Sequence, residues 1–199
     1  MISVETWAPN SPAAGTDHLV LAAAARGDRA AFDLLVHRHT PRMYRVALRI
    51  VGEPADAEDA VQDAWIAAWR ALPRYRGDAA PATWLYRVVT NAALGTLRKR
   101  KPTATLDGIA DGERMIDPAP GPETAAVSAD DAARVHRALN TLEPSQRVAL
   151  VLREFEGLSY EEVATVLETT VAAVRSRLHR GRAALLTALA SDESGWGPR

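Results

Sequence analysis

Cysteine is absent from the 199-residue chain. That excludes a disulfide framework, a thiol nucleophile and a Cys-based zinc site. Five histidines are present, but none stands at a convincing metal-ligand spacing. His37 and His39 fall on alternate sides of the chain, and His179 lies among arginines, so they read as surface or capping residues. The charges nearly cancel, leaving a net charge of −1. The chain as a whole is no polycation, and any nucleic-acid contact must come from local basic patches. No apolar run is long enough to span a membrane. The first fifteen residues lack the basic and apolar regions of a secretory signal. Together these absences predict a soluble, cytosolic protein without direct membrane insertion, and no cofactor or metal is expected.

What is present is helical periodicity, with 47% hydrophobic and 25% charged residues, enough for one ordinary core or two small ones. The most informative stretch is Leu158 to Leu189. Ser159 followed by Glu162 is a capping-box pattern, and Gly157 suits the end of the helix before it. A short helix through Val163, Ala164, Val166 and Leu167 follows. Thr169 and Thr170 break the pattern, and Thr170 can cap the next helix. On a wheel of about 100° per residue, Val171, Val174, Leu178, Leu185 and Leu189 share one side. Ala172, Ser176, His179 and Arg180 lie roughly opposite, with Arg175 at their edge. No acid interrupts this helix from Val171 to Ala190. Small residues near its start allow close approach to base edges, and arginine can grip guanine with two bonds. A solvated basic face on a bundle is the plainer alternative.

Residues 1–16 read as a disordered tail rich in Pro, Ser and Ala. A first helical unit is expected over 17–101. Leu19, Val20 and Ala23 begin it, and Gly27 breaks it. Phe32, Leu35, Val36, Met43, Val46, Ala47 and Ile50 then recur at helical spacing, with Pro41 as a bend or local break. Asp56 is expected to cap a third helix running to about Leu72, whose apolar stripe is Val61, Trp65, Ala68 and Leu72. Asp59, Gln62, Asp63 and Ile66 lie on another side, either simply solvated or as a docking face.

The loop 73–81 carries an exposed-looking Tyr75 between Arg74 and Arg76. A fourth helix follows, with Thr83, Arg87 and Asn91 on one face and Arg98, Lys99, Arg100 and Lys101 at its end. Arginines interleaved with Trp84 and Tyr86 suit single-stranded nucleic acid, because bases stack on rings while cations meet phosphates. Core filling by Trp84 and Tyr86 is the other reading, and is preferred for Tyr86. Residues 102–128 read as a flexible acidic linker: Asp107, Asp111, Glu113, Asp117 and Glu123 stand against one arginine, Arg114. A second unit over 129–190 starts with Val135, Ala138, Leu139 and Leu142. Pro144 suits the first turn of the next helix, whose buried face is expected to be Val148, Val151, Leu152 and Phe155. Residues 191–199 read as a loose tail. The expected fold is all-α: two small helical domains, the second a helix-turn-helix, joined by the linker.

Three segments in this order resemble a known family: DAEDAVQDAWIAAWRAL at Asp56 to Leu72, TWLYRVVTNAALGTLRKRK at Thr83 to Lys101, and the stretch from Leu139 to Arg182. They resemble bacterial sigma factors of the extracytoplasmic-function (ECF) group, in the sigma-70 family. The resemblance covers most of the chain from about Ala30 to Leu189, except the linker.

It implies a sigma-2 bundle followed by a sigma-4 helix-turn-helix, and a promoter-specificity subunit with no chemistry of its own. Asp59, Gln62, Asp63 and Ile66 would bind core RNA polymerase at the β′ clamp helices, with the second domain at the β flap. Arg74, Tyr75, Arg76, Thr83, Trp84, Arg87 and Asn91 would open and hold the −10 element, and Arg98 to Lys101 would meet nearby phosphates. Ala172, Arg175, Ser176, His179 and Arg180 would read the −35 element. An anti-sigma factor is the implied inhibitor. The chain departs from the family where many relatives carry Gly at the turn and Gly-Thr early in the recognition helix. Here stand Glu168 and Thr169, then Val171, Ala172 and Ala173. A helix-turn-helix regulator acting without polymerase is the rival reading. An enzyme would need a ligand cluster beside Asp59 and Asp63, and the sequence offers none.

Overall fold

The computed structural model describes residues 12–75, 77, 80–100 and 122–193. The acidic stretch 101–121, the first eleven residues and the last six lie outside them. Every regular element among the described residues is helical. The first domain consists of α1 (Pro12–Ala25), α2 (Arg29–Val51), α3 (Pro54–Ala71), a 3₁₀ turn (Leu72–Arg74) and α4 (Pro81–Arg100). The second consists of α5 (Pro122–Thr141), α6 (Pro144–Leu150), a π segment (Val151–Phe155), α7 (Tyr160–Val166) and α8 (Val171–Glu193).

Helix α2 is the axis of the first domain. Asp28 caps it by accepting from the Ala31 N–H at 3.1 Å, and Gly52 ends it at φ +88°, in the left-handed region. Pro41 causes no break: the helix runs through it. Buried Leu35 before it and Met43, Val46 and Ile50 after it hold both halves on one core, offsetting the hydrogen bond that proline removes. The start of α3 differs from expectation. Pro54 takes the first turn and Glu53 the capping position, because proline is pre-set for that place. Asp56 instead forms an ion pair with Arg100 at the far end of α4. His39 is a second correction. It is buried, its Nε2 2.9 Å from Asp17 Oδ2, and Asp17 also receives Arg38. Helix α1 is thereby pinned to α2. Burial lowers the His39 pKa, and the Asp17 charge and hydrogen bond only partly oppose it.

In the second domain, α5 begins at Pro122, so 122–128 are helical rather than linker. Helix α8 continues to Glu193, past the expected start of the tail. Likewise α1 begins at Pro12, within the expected disordered stretch. Glu143 caps α6, accepting from the Ser145 and Gln146 N–H groups. The π segment then turns more slowly, with the Glu156 N–H reaching back five residues to Val151 O. That rotation moves Phe155 off the core, leaving it 38% exposed, and brings Glu156 inward to 6%. The expected buried face ends at Leu152.

The capping box forms as the spacing predicts: Glu162 N–H to Ser159 Oγ at 3.1 Å and Ser159 N–H to Glu162 Oε2 at 2.7 Å. Thr170 caps α8 through the Ala173 N–H. Val174 and Leu178 of α8 are fully buried. Gly181 lets α8 approach α6 closely, since a Cβ there would sit 3.0 Å from Leu150 Cδ1.

The two domains pack against each other, and two charged side chains lie in the seam. The Arg147 guanidinium is buried. Its Nη1 donates to Ile50 O at 2.6 Å, at the carbonyl-rich end of α2, and its Nη2 to Asn140 O and Leu142 O at 2.7 and 3.1 Å. The Glu156 carboxylate accepts from Arg42 Nε and from the Tyr86 hydroxyl, both at 2.7 Å. Arg49 lies 3.7 Å from the same carboxylate and over the Phe155 ring. Burial raises the Tyr86 pKa, and the Glu156 charge adds to it. His136 Nε2 lies 2.9 Å from Gly52 O, adding a polar contact from α5.

Candidate nucleic-acid interface

Helix α8 carries the surface best suited to duplex DNA. With Val174 and Leu178 turned into the core, Ala172, Arg175, Ser176, His179 and Arg180 are all exposed on the outward side. The Arg175 guanidinium stands over the Tyr160 ring at 5.6 Å, a cation–π contact that orients it beside the helix start. The stiff α7–turn–α8 unit, capped at both helix starts, presents these residues as one face.

Helix α4 and the turn before it hold the second set. Trp84 is 5% exposed and packs against half-buried Tyr75, ring centroids 5.4 Å apart. The exposed Tyr75 and the interleaved aromatic surface read from sequence are therefore replaced by a tilted pair at 59°, with Trp84 buried and Tyr75 half-buried. The ring that could meet a base here is Tyr75, backed by Trp84. Thr83 is buried too. Arg87 is half-buried and Asn91 exposed one turn further on, with Arg74 exposed near the turn's end. Arg98, Lys99 and Arg100 are exposed, and two have acidic neighbours: Arg100 with Asp56 and Lys99 with Asp63 at 3.9 Å. Arg76 and Lys101 lie outside the described residues.

A third surface is on α3. Ala57, Ala60, Val61, Ala64 and Ala68 face the core, so Asp59, Gln62, Asp63 and Ile66 point outward, all exposed. Sequence reading missed Trp69, which is 41% exposed one turn beyond Ile66 at 49%. Phe32 supports it edge-on at 4.9 Å, and meets Trp65 edge-on at 5.6 Å. The face is thus acidic at one end and apolar at the other. The signal for Trp69 was its place three residues after Ile66.

Glu168, the unusual turn residue, adopts φ +48°, a conformation costly for a residue with a Cβ. Its carboxylate lies 3.7 Å from Arg87 Nη1 of the first domain.

An all-helical chain with a capped helix-turn-helix, a basic reading face and a separate basic helix defines a two-domain DNA-binding protein. Comparison with known proteins narrows the class. Residues 35–103 match Sigma-70 region 2 and residues 132–185 match Sigma-70 region 4. The RNA polymerase sigma-H factor of Pseudomonas aeruginosa is 40% identical over 180 residues, 87% of this chain and 93% of that one. The ECF RNA polymerase sigma-E factor of Escherichia coli K12 is 36% identical over 177 residues, 85% of this chain and 92% of that one. Among solved structures, CnrH in complex with the cytosolic domain of CnrY aligns with TM-score 0.65 and 32% identity, covering 88% of this chain and 98% of that chain. The fold also matches the sigma factor RpoE in complex with the anti-sigma factor NepR from Bartonella quintana, at TM-score 0.63 and 23% identity, over 81% of this chain and 98% of that chain. The chain belongs to the ECF group of sigma-70-family RNA polymerase sigma factors, as the resemblance implied. It is an RNA polymerase sigma factor with an all-α, two-domain fold.

Proposed function

We propose that the three surfaces divide the work of promoter recognition and opening. The exposed face of α3, with Asp59, Gln62, Asp63 and Ile66, docks on the β′ clamp helices of core polymerase, and Trp69 extends it. The second domain engages the β flap, and α8 enters the major groove of the −35 element. Arg175 and Arg180 are the cations placed to read base edges there. Arg74, Tyr75, Arg76, Arg87 and Asn91 hold the −10 strand, with buried Trp84 and Thr83 supporting Tyr75 and the start of α4 from beneath, and Arg98 to Lys101 meet its phosphates. Docking both domains on one polymerase fixes their spacing, so two modest DNA contacts act together through effective concentration.

The protein works in the cytoplasm, contributes binding energy and catalyses nothing itself; polymerase supplies the phosphoryl transfer. Its inhibitor is a protein of the anti-sigma kind, as the family resemblance implies. The observation that carries this reading is the polarity of α8: five candidate DNA-contact residues exposed on one side, two buried aliphatics on the other.

The assignments are separable. Arg180→Ala should cut discrimination for the upstream element by about tenfold and leave core affinity unchanged. Asp63→Ala should weaken core binding by about threefold at any promoter. Gel-shift titration with core polymerase, followed by transcription from promoters with intact and scrambled upstream elements, reads both effects. Exchanged outcomes would refute the assigned roles.

A further inference from the structure

One tyrosine gathers the arginines beside the α8 reading face. Tyr160 is the first residue of α7 and is half-buried. The Arg175 guanidinium of α8 stands 5.6 Å from its ring centroid, and the Arg153 guanidinium of the π segment stands 5.0 Å from the same centroid. Arg153 is anchored as well to the backbone, its Nη1 donating to Leu158 O at 2.7 Å. Arg182 lies about two turns beyond Arg175 on α8. Its Nε and Nη2 both donate to Glu154 Oε1, at 3.1 and 2.6 Å. Its pKa is raised chiefly by that bond to Glu154, with Tyr160 adding to it. The π segment therefore meets the recognition helix through one ring and one carboxylate.

An aromatic ring carries negative potential on its faces, so it attracts a guanidinium that neighbouring cations repel. With Arg182 committed to Glu154, the ring is left to Arg153 and Arg175. Arg153 is already tied to a carbonyl, so the place left to Arg175 is restricted. Arginine grips guanine with two bonds only when its planar fork lies along the base edge, and its long side chain otherwise samples many rotamers. A guanidinium held before binding loses less freedom on binding.

We infer that Tyr160 is a positioning residue for the upstream element: its ring, shared with Arg153, sets the direction in which Arg175 offers its fork to a base pair. This rests on the reading of α8 as the −35 surface. Tyr160 itself need touch no base. Without the ring, Arg175 keeps its charge and its place on the helix. Attraction to DNA then persists while the choice of base weakens.

The test uses holoenzyme assembled from the full chain and core polymerase. The templates are a promoter mapped from transcript 5′ ends and its single base-pair substitutions across the upstream element, transcribed in competition. The variants are R175A, Y160L, Y160F and the R175A/Y160L double. R175A should relax discrimination at the base pair it meets. Y160L should relax the same base pair by about threefold and leave the others unchanged. Y160F keeps the ring and should match the parent. The double variant should be no more relaxed than R175A alone, because the ring acts only through that arginine.

A selective loss in R175A with none in Y160L would overturn the positioning role and leave the reading of α8 standing. So would an equal loss at every base pair in Y160L, which is what a loosened domain produces, or a double variant whose losses multiply. A Y160F profile matching Y160L would put the effect on the hydroxyl rather than the ring, and overturn the role too. If R175A relaxes no base pair, the reading of α8 fails and the positioning role falls with it.

Discussion

Arg147→Lys is the most revealing single change for the stability of the assembled fold. The guanidinium makes three bonds to backbone carbonyls: Ile50 O, Asn140 O and Leu142 O, at 2.6, 2.7 and 3.1 Å. The planar fork addresses carbonyls on two elements at once. Lysine keeps the charge but offers one compact ammonium in place of the fork. The ammonium's three donors radiate from one atom, so it can serve Ile50 O or the Asn140 and Leu142 pair but not both, and one or two carbonyls lose their donor within a buried site. A hydrogen bond to a charged group contributes about 1.5–3 kcal/mol, and leaving a buried acceptor unmet costs on the order of 1–3 kcal/mol. These figures describe the same loss and are not summed, so the expected cost is about 3 kcal/mol. For a chain of this size that corresponds to a fall in Tm of about 6–12 °C. Differential scanning calorimetry and urea titration would measure it. A fall below about 2 °C would show that the guanidinium is not holding α5 and α6 to the end of α2.

Two further changes probe neighbouring parts of the same fold. Gly52→Ala places a Cβ where φ is +88° and 2.6 Å from Asn140 Oδ1. The Asn140 side chain can shift, so the backbone angle dominates, and a loss of about 1–2 kcal/mol is expected by urea titration. Acid should destabilise the first domain through His39. Its folded pKa lies below its unfolded value of 6.5, so its contribution is present above that value and is lost as pH falls through it towards the folded pKa. Thermal melts from pH 7.5 to pH 5 should therefore show a decline that His39→Gln makes shallower. An identical decline in both proteins would assign the acid sensitivity elsewhere.

What the sequence makes legible is local. The Ser159–Glu162 box, the Thr170 cap, Gly157 at φ +72° and the two faces of α8 all depend on residues within a few positions of one another, and all form as spacing dictates. The outward face of α3 was equally readable, although whether it merely met solvent was not. Roles that depend on distant partners were hidden. Nothing near Arg147 in sequence announces that it will reach a carbonyl of Ile50. Glu156 faces inward only because a π segment shifts the helical phase, and periodicity counted at 3.6 residues per turn placed Phe155 there instead. Trp84 was read among exposed aromatics because its burial beside Tyr75 depends on the turn before α4. His39 looked like a surface residue because its partner, Asp17, lies 22 positions away on α1. Proline at 41 misled for a related reason: the helix persists because of packing on both sides, a tertiary effect that outweighs a local one.

Run-off transcription with purified chain and core polymerase tests the central claim most directly. The template should be a promoter found by sequencing transcript 5′ ends after overexpression. The account predicts association with core enzyme and a transcript of single defined length that disappears when either promoter element is scrambled. Failure to associate with core, or a product indifferent to both elements, would contradict it.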